Sequence, residues 1–352
     1  MADFHELKIA KINQETQDAV SLQFDVPSTL NGSYQFAAGQ YLNLSAIING
    51  KEVRRAYSIC SSPSSGRLTV LVKKVENGVF STYANEQLSE GNSLKVATPE
   101  GRFVLPESQS DDSSYLFFAA GSGITPIISM IETVLESAPS ANVVLVYGNR
   151  SADLAIFKSR LDSLEQNHAN FNIEWIFSRQ DADAVHFGRI DRSKVAYVVN
   201  NKYKEKEFDA YFICGPGTMI DEVSNTLANF GVAQEKIRFE RFTASEADDS
   251  TEPSADVPAG NAQITYIIDD ESTTVTVPTT TSVLENAMNN DLDPPYSCQG
   301  GICSSCIARV TEGTAEMRKN QILTDGEVAE GLILTCQAHA TSAKVTVDYD
   351  DV

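Results

Sequence analysis

The sequence predicts a multidomain protein of β and α/β class: an antiparallel β-barrel, a parallel sheet with helices, and a small C-terminal β domain that carries cysteines. Three observations predict this architecture. Short alternating apolar runs come first in the 352 residues, strand and helix patterns then alternate, and four cysteines stand near the C-terminal end. A chain of this length exceeds one ordinary domain. We expect domains at 1–108, 109–242 and 262–352, with a linker at 243–261.

The first region is predicted to be an antiparallel barrel, because several short runs with a two-residue alternation follow one another closely. The predicted strands are 19–26, 40–45, 54–60, 68–75 and 93–97, and one helix is predicted at 80–88. The stretch 107–114 is rich in serine and aspartate and indicates a boundary.

The second region alternates strands with helices, which is typical of a parallel sheet with crossover helices. The predicted strands are 115–120, 143–147, 173–178 and 210–214. The predicted helices are 127–138, 152–164 and 218–230. Ligands of such open sheets bind at the carboxyl ends of the strands.

The third region follows a stretch that is low in hydrophobic residues and rich in proline, serine and acid, which predicts a mobile, acidic tether. Beyond it, 263–268 and 273–277 indicate a hairpin, and a helix is predicted at 283–289 before the cysteine loop.

Charge and composition exclude some classes of protein. The net charge of −21 argues against binding nucleic acid through phosphate neutralisation. The first residues show no apolar signal segment, and no apolar run approaches the ~18 residues of a membrane span, so we expect a cytoplasmic protein. Residues 243–352 hold 4 basic and 19 acidic residues. This acidic tail indicates either electrostatic steering toward a basic partner or a solvated acidic surface.

The cysteines carry the most specific signal. Three lie on one loop and the fourth arrives later, which is the spacing of a plant-type [2Fe-2S] ferredoxin: Cys298, Cys303, Cys306 and Cys336. Gly300 and Gly301 let the loop curl around a cluster and aim N–H groups at sulfur. A zinc site usually shows two CxxC pairs, and only Cys303 and Cys306 are so spaced. Disulfides are disfavoured because nothing marks the chain as secreted.

Two patterns in the barrel region suggest a nucleotide. Arg55 and Tyr57 share one face of a predicted strand, where they can pair with a phosphate and stack on a flat ring, and Ser58 follows. Gly78 and Ser81 precede the predicted helix and could hold a pyrophosphate at its start. Each pattern alone is also typical of a solvated strand or an ordinary helix cap.

Two glycine turns follow strands of the second region. Gly121, Gly123, Thr125 and Pro126 form a loop in which Thr125 can cap the helix and Pro126 suits its first position, so N–H groups would face a pyrophosphate. Cys214, Gly215 and Pro216 follow a later strand in the same way. A lone cysteine such as Cys214 is more often a small buried hydrophobe, although its place beside this turn makes a functional role competitive.

In this order, the motifs RxYS, GxxS, GxGxTP and CGPG resemble the ferredoxin-NADP reductase superfamily. The added C-terminal ferredoxin pattern narrows the resemblance to the reductase components of bacterial multicomponent oxygenases. Nearly the whole chain, with the tether excepted, resembles the reductase subunits of phenylacetyl-coenzyme A epoxygenases. The runs that carry this similarity are RAYSIC at 55–60, YGNR at 147–150, GRID at 188–191 and ERF at 240–242.

The resemblance implies an FAD-binding barrel, an NAD(P)-binding parallel sheet and a β-grasp [2Fe-2S] domain. It implies that Arg55, Tyr57, Ser58, Gly78 and Ser81 hold FAD, with Phe242 covering the flavin. It implies that the glycine loop holds the phosphates of the dinucleotide, and that Cys214, Gly215 and Pro216 lie near the nicotinamide. Cys214, Tyr57, Ser58 and Glu240 are the catalytic residues so implied.

A Ser–Arg pair after the third strand often binds the extra phosphate of NADP in this superfamily. The chain has Ser178 and Arg179 there, with Arg150 after the preceding strand. These cations favour NADPH over NADH through charge-assisted hydrogen bonds. In the alternative, Arg150 and Arg179 merely solvate the strand ends.

The oxygenase itself is expected on a separate, di-iron protein that acts on an aromatic substrate. Such a centre needs two ExxH motifs, and only Glu165 with His168 matches. The four histidines are scattered, which excludes a Rieske cluster.

Two alternatives remain open in the sequence. One is a stand-alone NAD(P)H oxidoreductase that acts on ferric chelates, quinones or oxygen. The other is a redox-sensing iron–sulfur protein.

Overall fold

A computed structural model describes residues 3–106, 109–179, 186–242 and 260–352. The chain divides into two compact units. One consists of Phe4–Arg241, and the other of the flanking Met1–Asp3 and Phe242–Val352. Of the predicted linker 243–261, residues 243–259 lie outside the described residues. Asn261 is the first residue of a strand.

The first sheet is antiparallel and has the order β4-β3-β6-β1-β2-β5. Its strands are β1 (Phe4–Thr16), β2 (Ala19–Asp25), β3 (Tyr41–Ile48), β4 (Lys51–Ser58), β5 (Leu68–Lys73) and β6 (Ser93–Ala97), and helix α1 is Val79–Glu86. A bridge between Ile59 and Val70 joins the two outer strands and closes the curled sheet. The predicted barrel is therefore confirmed.

The long strand β1 was missed by the sequence analysis. Its buried residues, such as Leu7 and Ile9, alternate with Lys8 at first, but bulges at Ile9/Lys11 and Gln14/Thr16 interrupt the two-residue period. A bulge moves subsequent side chains to the other face, so the alternation could not be read through it.

The second sheet is parallel, as predicted, with the order β10-β9-β8-β7-β11-β12. Its strands are β7 (Ser114–Ala120), β8 (Asn142–Asn149), β9 (Phe171–Phe177), β10 (His186–Phe187), β11 (Ala210–Gly215) and β12 (Ile237–Arg241). The helices are α2 (Ile124–Ser137), α3 (Lys158–Asn167), α4 (Arg192–Ala196) and α5 (Gly217–Asn229), and a π-helical turn spans Tyr197–Lys202. Buried apolar residues cover both faces of this sheet.

One predicted helix of this region was wrong in its bounds. The helix predicted at 152–164 is divided: a 3-10 turn spans Ala152–Leu154, and α3 begins only at Lys158. Between them Phe157 has a φ of 60°, in the left-handed region, which breaks the helical hydrogen-bond pattern.

The C-terminal unit contains a five-stranded mixed sheet of order β14-β13-β19-β15-β17 and a two-stranded sheet of β16 and β18. The strands are β13 (Asn261–Ile268), β14 (Glu271–Pro278), β15 (Ile307–Glu312), β16 (Ala315–Met317), β17 (Leu332–Leu334), β18 (Ala338–Ala340) and β19 (Lys344–Asp348). Helix α6 is Val283–Asn289 and α7 is Asp325–Ala329. The predicted hairpin and helix are confirmed.

No helix in the described ranges is both long enough and apolar enough to cross a membrane.

Candidate functional site

The four cysteines predicted to hold metal lie together and form two pairs. The side chains of Cys298 and Cys303 are hydrogen-bonded to each other, and so are those of Cys306 and Cys336. Among the described residues, no group of three or more His, Cys, Asp or Glu side chains is placed to hold a single ion. A [2Fe-2S] cluster needs two protein ligands on each of its irons, whereas structural zinc needs four around one ion. The paired arrangement therefore fits the cluster.

The loop around these thiols supplies backbone donors. The Gly300 N–H donates to the Cys298 sulfur over 3.3 Å. The hydrogen bond with Cys303, together with the N–H groups of Gly300 and Ile302, lowers the pKa of Cys298 to about 6 against the opposing effect of burial. The pKa of Cys336 is lowered in the same way by its hydrogen bond with Cys306, whereas the same paired bonds and burial raise the pKa values of Cys303 and Cys306 well above the ordinary value. One thiol of each pair is therefore favoured as the thiolate, which is the form that binds iron.

Gly301 is required by this loop. Its φ is +73°, and a Cβ there would lie 3.0 Å from the Gln337 Cγ and 3.1 Å from the Lys319 carbonyl oxygen. Neither the backbone conformation nor the space suits a side chain. The glycine prediction for this loop therefore has a clear physical basis.

Thr335, which the sequence analysis did not single out, connects the two parts of the cysteine site. Its backbone N–H and its hydroxyl both donate to the Cys306 carbonyl oxygen over 3.0 Å. Its own carbonyl accepts from the Leu284 N–H at the start of α6. This fully buried residue ties the cysteine loop to the segment that carries Cys336.

In the other unit, β4 presents the residues predicted to contact FAD. Arg55 is exposed and Tyr57 packs on Phe80, with their ring centroids 5.6 Å apart. Burial raises the pKa of Tyr57 well above its ordinary value, so its hydroxyl stays neutral. Ser58 is buried at the end of the strand. The flat ring, the exposed cation and the hydroxyl are therefore close together, as the motif predicts.

Gly78 is the N-cap of α1 and leaves no room for a side chain. A Cβ there would lie 2.3 Å from the Ser81 hydroxyl and 2.6 Å from the Val75 Cγ2. The Ser81 hydroxyl accepts from the Val75 N–H and donates to the Gly78 carbonyl. It is therefore engaged within the turn, and its predicted contact with FAD remains a prediction.

The two glycine turns of the parallel sheet touch each other. A Cβ on Gly123 would lie 2.1 Å from the Cys214 carbonyl oxygen, and one on Gly215 would lie 3.2 Å from the Ala120 nitrogen. The loop Gly121–Gly123 is a 3-10 turn that continues directly into α2. The two turns thus form one glycine-lined edge at the carboxyl ends of β7 and β11, where Pro216 caps α5.

The expected cap at this loop was wrong. The helix begins at Ile124, earlier than expected, so Pro126 is its third residue and Gly123 precedes it. The Thr125 hydroxyl donates to the Ser122 carbonyl over 2.9 Å instead of accepting from the helix start. The 3-10 turn explains the difference, because it extends the helical backbone into the loop.

Glu240 links the two sheets at this edge. It pairs in register with Cys214 across β12 and β11, and its Oε2 accepts from the Ser58 hydroxyl over 3.3 Å. Burial raises the pKa of Glu240 to about 8, although the bond from Ser58 acts in the opposite direction. A carboxyl group with this pKa can hold a proton at neutral pH.

Cys214 itself is fully buried in the apolar cluster on one face of the parallel sheet. Burial, with a smaller effect of the Glu240 charge, raises the pKa of its thiol well above the ordinary value. The structure therefore places it beside Glu240 but as a neutral, packed side chain.

The predicted NADP-phosphate residues are neighbours. The N–H of Ser178 donates to the Asn149 carbonyl and the N–H of Arg179 to that of Arg150, over 3.0 and 2.9 Å. Both arginines are exposed at the carboxyl ends of β8 and β9. Phe242, in contrast, belongs to the other unit and is partly exposed there, so its proposed place over a flavin remains a prediction.

Tyr147 is a further residue that the sequence analysis gave no role. It is fully buried, and its hydroxyl donates to the Gly121 carbonyl over 3.0 Å. Tyr147 therefore holds the first residue of the glycine loop through this hydrogen bond. Its place at the end of a buried strand was the available signal, but a lone tyrosine there is most often core.

Known families match all three parts of the chain. A model of the oxidoreductase FAD-binding domain matches residues 6–105, one of the oxidoreductase NAD-binding domain matches 117–225, and one of the 2Fe-2S iron–sulfur cluster binding domain matches 266–341. Together with the paired thiols and the glycine-lined edge, these matches define a flavin- and iron–sulfur-dependent reductase.

Several known proteins are similar to this chain over nearly its full length. The chain is 36% identical to one of the subunits of 1,2-phenylacetyl-CoA epoxidase from Escherichia coli, over 99% of both chains. It is 32% identical to the ferredoxin reductase component of 3-ketosteroid-9-alpha-monooxygenase from Mycobacterium tuberculosis, over 98% of this chain and 96% of that one. The solved structure of phthalate dioxygenase reductase matches with a TM-score of 0.60 and 26% identity, over 98% of each chain. The chain belongs to the family of reductase components of multicomponent oxygenases.

Proposed function

We propose that this chain draws electrons from NADPH and delivers them to a separate oxygenase component that acts on phenylacetyl-CoA or a closely related aromatic thioester. The observation that carries the proposal is the full-length similarity to the epoxidase protein from Escherichia coli, together with the presence of all three cofactor domains. When bound, FAD turns the hydride of NADPH into single electrons, which the [2Fe-2S] cluster passes on.

The residues of the chain would bind and orient these groups. Arg55, Gly78 and Ser81 would hold the pyrophosphate of FAD, with Tyr57 and Phe242 against the flavin. Ser58 and Glu240, 3.3 Å apart, would hold a proton beside it. Cys214, Gly215 and Pro216 would lie at the nicotinamide. The glycine loop would hold the dinucleotide phosphates through Gly121, Gly123, Thr125 and Pro126.

NADPH is the proposed donor because two exposed arginines meet at adjacent strand ends. Arg150 and Arg179, joined by a backbone hydrogen bond, place two cations beside Ser178. A 2′-phosphate accepts charge-assisted hydrogen bonds from such a pair, while the 2′-hydroxyl of NADH offers them far less.

The domain boundaries are part of the same proposal: an FAD domain at 1–108, an NAD(P) domain at 109–242, a linker at 243–261 and a ferredoxin domain at 262–352. The matched family ranges lie inside these boundaries, and the division of the chain before Phe242 supports the start of the linker. The oxygenase component is proposed to hold a di-iron centre.

The first test is an anaerobic titration of the purified protein with NADPH and with NADH, followed by absorbance. We expect flavin and cluster to be reduced in sequence, with NADPH effective at a lower concentration. A chain that binds no flavin, or that contains zinc in place of iron, would contradict the proposal.

The second test removes the cluster from the full chain with the double substitution Cys303→Ser and Cys306→Ser. We expect NADPH-dependent ferricyanide reduction to stay within about threefold of wild type, because flavin can perform it. Oxidation of phenylacetyl-CoA by an added epoxidase oxygenase component should be lost. Retention of that coupled activity would show that electrons reach the oxygenase without the cluster and would contradict the proposal, whereas a wild-type protein that drives no oxygenase component would favour a stand-alone oxidoreductase.

A further inference from the structure

We infer that Arg160 is a positioning residue for hydride transfer, which holds the end of the flavin strand β4 against the parallel sheet that binds the dinucleotide. This inference rests on the proposed function. The observation behind it is that the Arg160 guanidinium contacts both a carboxylate on a helix of the parallel-sheet region and a backbone carbonyl of the barrel.

Arg160 lies on α3 and makes a two-pronged ion pair with Glu132 on α2. Its Nε donates to Oε1 and its Nη2 to Oε2, each over 2.5 Å. The same Nη2 also donates to the Cys60 carbonyl oxygen over 3.1 Å. Cys60 follows β4 by two residues and is fully buried. One guanidinium therefore connects two helices of the parallel sheet to the strand that carries Tyr57 and Ser58.

Two further helix residues hold the same segment of the barrel. The buried Ser129 hydroxyl on α2 donates to the Ser61 carbonyl over 2.7 Å. Glu136, also on α2, accepts from the hydroxyls of Ser62 and Ser64. The segment 60–64 is thus fastened to α2 and α3 at several points, and we name it the seam.

The seam is connected to both proposed binding regions. Upstream, it continues from Ser58, which bonds to Glu240. On the other side, α2 continues without a break from the glycine loop Gly121–Gly123. A shift of the seam would therefore move the flavin strand relative to the dinucleotide loop.

Such a shift matters because hydride transfer depends steeply on position. The reaction moves one hydride, which carries two electrons, from NADPH to FAD, so that NADPH becomes NADP⁺ and FAD becomes its two-electron-reduced form. Reacting atoms must lie about 3–3.5 Å apart, and a displacement of about 1 Å can cost roughly 100-fold in rate.

Arg160 makes the most specific contact with the seam. Only a guanidinium presents a fork that fits both oxygens of Glu132 and still has a proton for a third acceptor. The Arg160 and Glu132 side chains are 29% and 12% exposed, so solvent screens the pair only in part. Lysine at this position could keep the charge but could not keep this geometry.

The experiment compares Arg160→Gln and Arg160→Lys with wild type by anaerobic stopped-flow reduction of the holoprotein with NADPH. We expect the limiting rate of flavin reduction to fall at least tenfold in Arg160→Gln, while the Kd of NADPH changes less than threefold. Arg160→Lys should recover only part of the rate. The charge-transfer absorbance between reduced flavin and NADP⁺ should weaken in parallel, which a loss of stability alone would not produce.

Lys158→Gln is the matched control on the same helix. Lys158 pairs with Asp162 within α3, over 2.7 Å, so this ion pair does not reach the seam. We expect its limiting rate to equal that of wild type. Flavin and iron content and the melting temperature are measured for every variant.

Ser129→Ala tests the inference should Arg160→Gln fail to fold or lose its flavin. It retains every charge and removes only one hydrogen bond to the seam, so we expect a threefold to tenfold fall in the limiting rate. An unchanged limiting rate in a folded Arg160→Gln, or in Ser129→Ala when the arginine variant is unusable, would overturn the inference. Failure of wild type itself to be reduced by NADPH would contradict the proposed function instead.

Discussion

At the scale of single residues, the surroundings of Glu240 explain why its partly exposed carboxyl group binds a proton more tightly than an ordinary surface glutamate does. Glu240 lies beside Cys214 on the next strand and accepts from Ser58, and its burial raises its pKa to about 8. The protonated form is therefore favoured by folding, unlike that of an ordinary surface glutamate.

Glu240→Gln should abolish a pH dependence of the flavin-reducing step. We expect wild-type activity to fall as pH rises through about 8, because the proton is lost, and the variant to lack this decline. Its rate at neutral pH should fall roughly 100-fold if the group transfers a proton. The pH profile of NADPH-dependent ferricyanide reduction measures both. Glu235→Gln, on the turn before β12, serves as the control.

The same substitution should change how stability depends on pH. A carboxyl group whose pKa is raised from 4.5 in the unfolded chain to about 8 binds more protons when folded, so stability falls as pH rises between those values. The linkage amounts to at most ~5 kcal/mol, and roughly half of that is realistic for a partly exposed side chain. Denaturant unfolding at pH 5 and pH 9 should show Glu240→Gln losing less stability than wild type. Equal losses would contradict the raised pKa.

Arg179→Ala should reduce the preference for NADPH. Loss of a charge-assisted hydrogen bond to a phosphate costs about 1.5–3 kcal/mol, or roughly 10- to 100-fold in affinity. We expect the KM for NADPH to rise by that factor while the KM for NADH stays within about twofold. Arg192→Ala, at the start of α4, is the control. An equal rise for both dinucleotides would mean that Arg179 does not contact the 2′-phosphate.

At the scale of elements, two turns that touch backbone to backbone form the edge at which we propose that the dinucleotide binds. Gly123 and Gly215 let the carboxyl ends of β7 and β11 approach so closely that neither tolerates a Cβ without movement. The 3-10 turn Gly121–Gly123 therefore leads directly from the edge into α2, and the first N–H of α2, that of Ile124, donates back to the carbonyls of Gly121 and Ser122.

Gly123→Ala should separate these two turns. A Cβ 2.1 Å from the Cys214 carbonyl oxygen must displace backbone, at a cost of about 1–3 kcal/mol. We expect a lower melting temperature and weaker NADPH binding, both measured on the holoprotein. Gly32→Ala is the control, because a Cβ there meets nothing within 4 Å. Unchanged NADPH affinity in Gly123→Ala would show that this edge does not hold the dinucleotide.

Sequence patterns predicted the architecture and most elements because the strands of the parallel sheet are nearly continuous buried runs, such as β7 and β8, and are separated by amphipathic helices. They failed where local geometry overrides the pattern. Bulges concealed the period of β1, the left-handed Phe157 divided a predicted helix, and three-residue strands such as β16 are too short for a period.

The sequence predicted those site residues that belong to local motifs, but not those that act through tertiary contacts. Spacing alone identified the four cysteines, but the contributions of Thr335, Tyr147 and Arg160 arise from tertiary contacts. Each of these residues contacts a carbonyl or carboxylate that is distant in the sequence; Arg160 and Cys60, for example, are 100 positions apart. No local pattern contains that information.

At the scale of the whole molecule, charge is divided unevenly between the two units. The region 243–352 holds 19 acidic and 4 basic residues, so the electron-delivering end carries most of the net charge of −21. A field of this kind accelerates encounters with positively charged proteins and is screened by salt.

Electron delivery to cytochrome c, a basic probe protein, should therefore depend on ionic strength. We expect the second-order rate constant to fall several-fold between about 0.01 and 0.15 M salt, because the Debye length shortens from about 30 to 8 Å. Reduction of an uncharged quinone should be unaffected and serves as the control. A rate that does not depend on salt would favour a merely solvated acidic surface.

The position of β19 has a consequence for biosynthesis. This strand lies between β13 and β15 in the middle of the C-terminal sheet, although it comes after all four cysteines in the chain. While residues 344–348 are still inside the ribosome, the sheet has a gap at its centre and the thiols have no finished scaffold. We therefore expect the cluster to assemble only after translation has passed this strand, and chains truncated before residue 344 should bind flavin but lack the brown colour of the cluster.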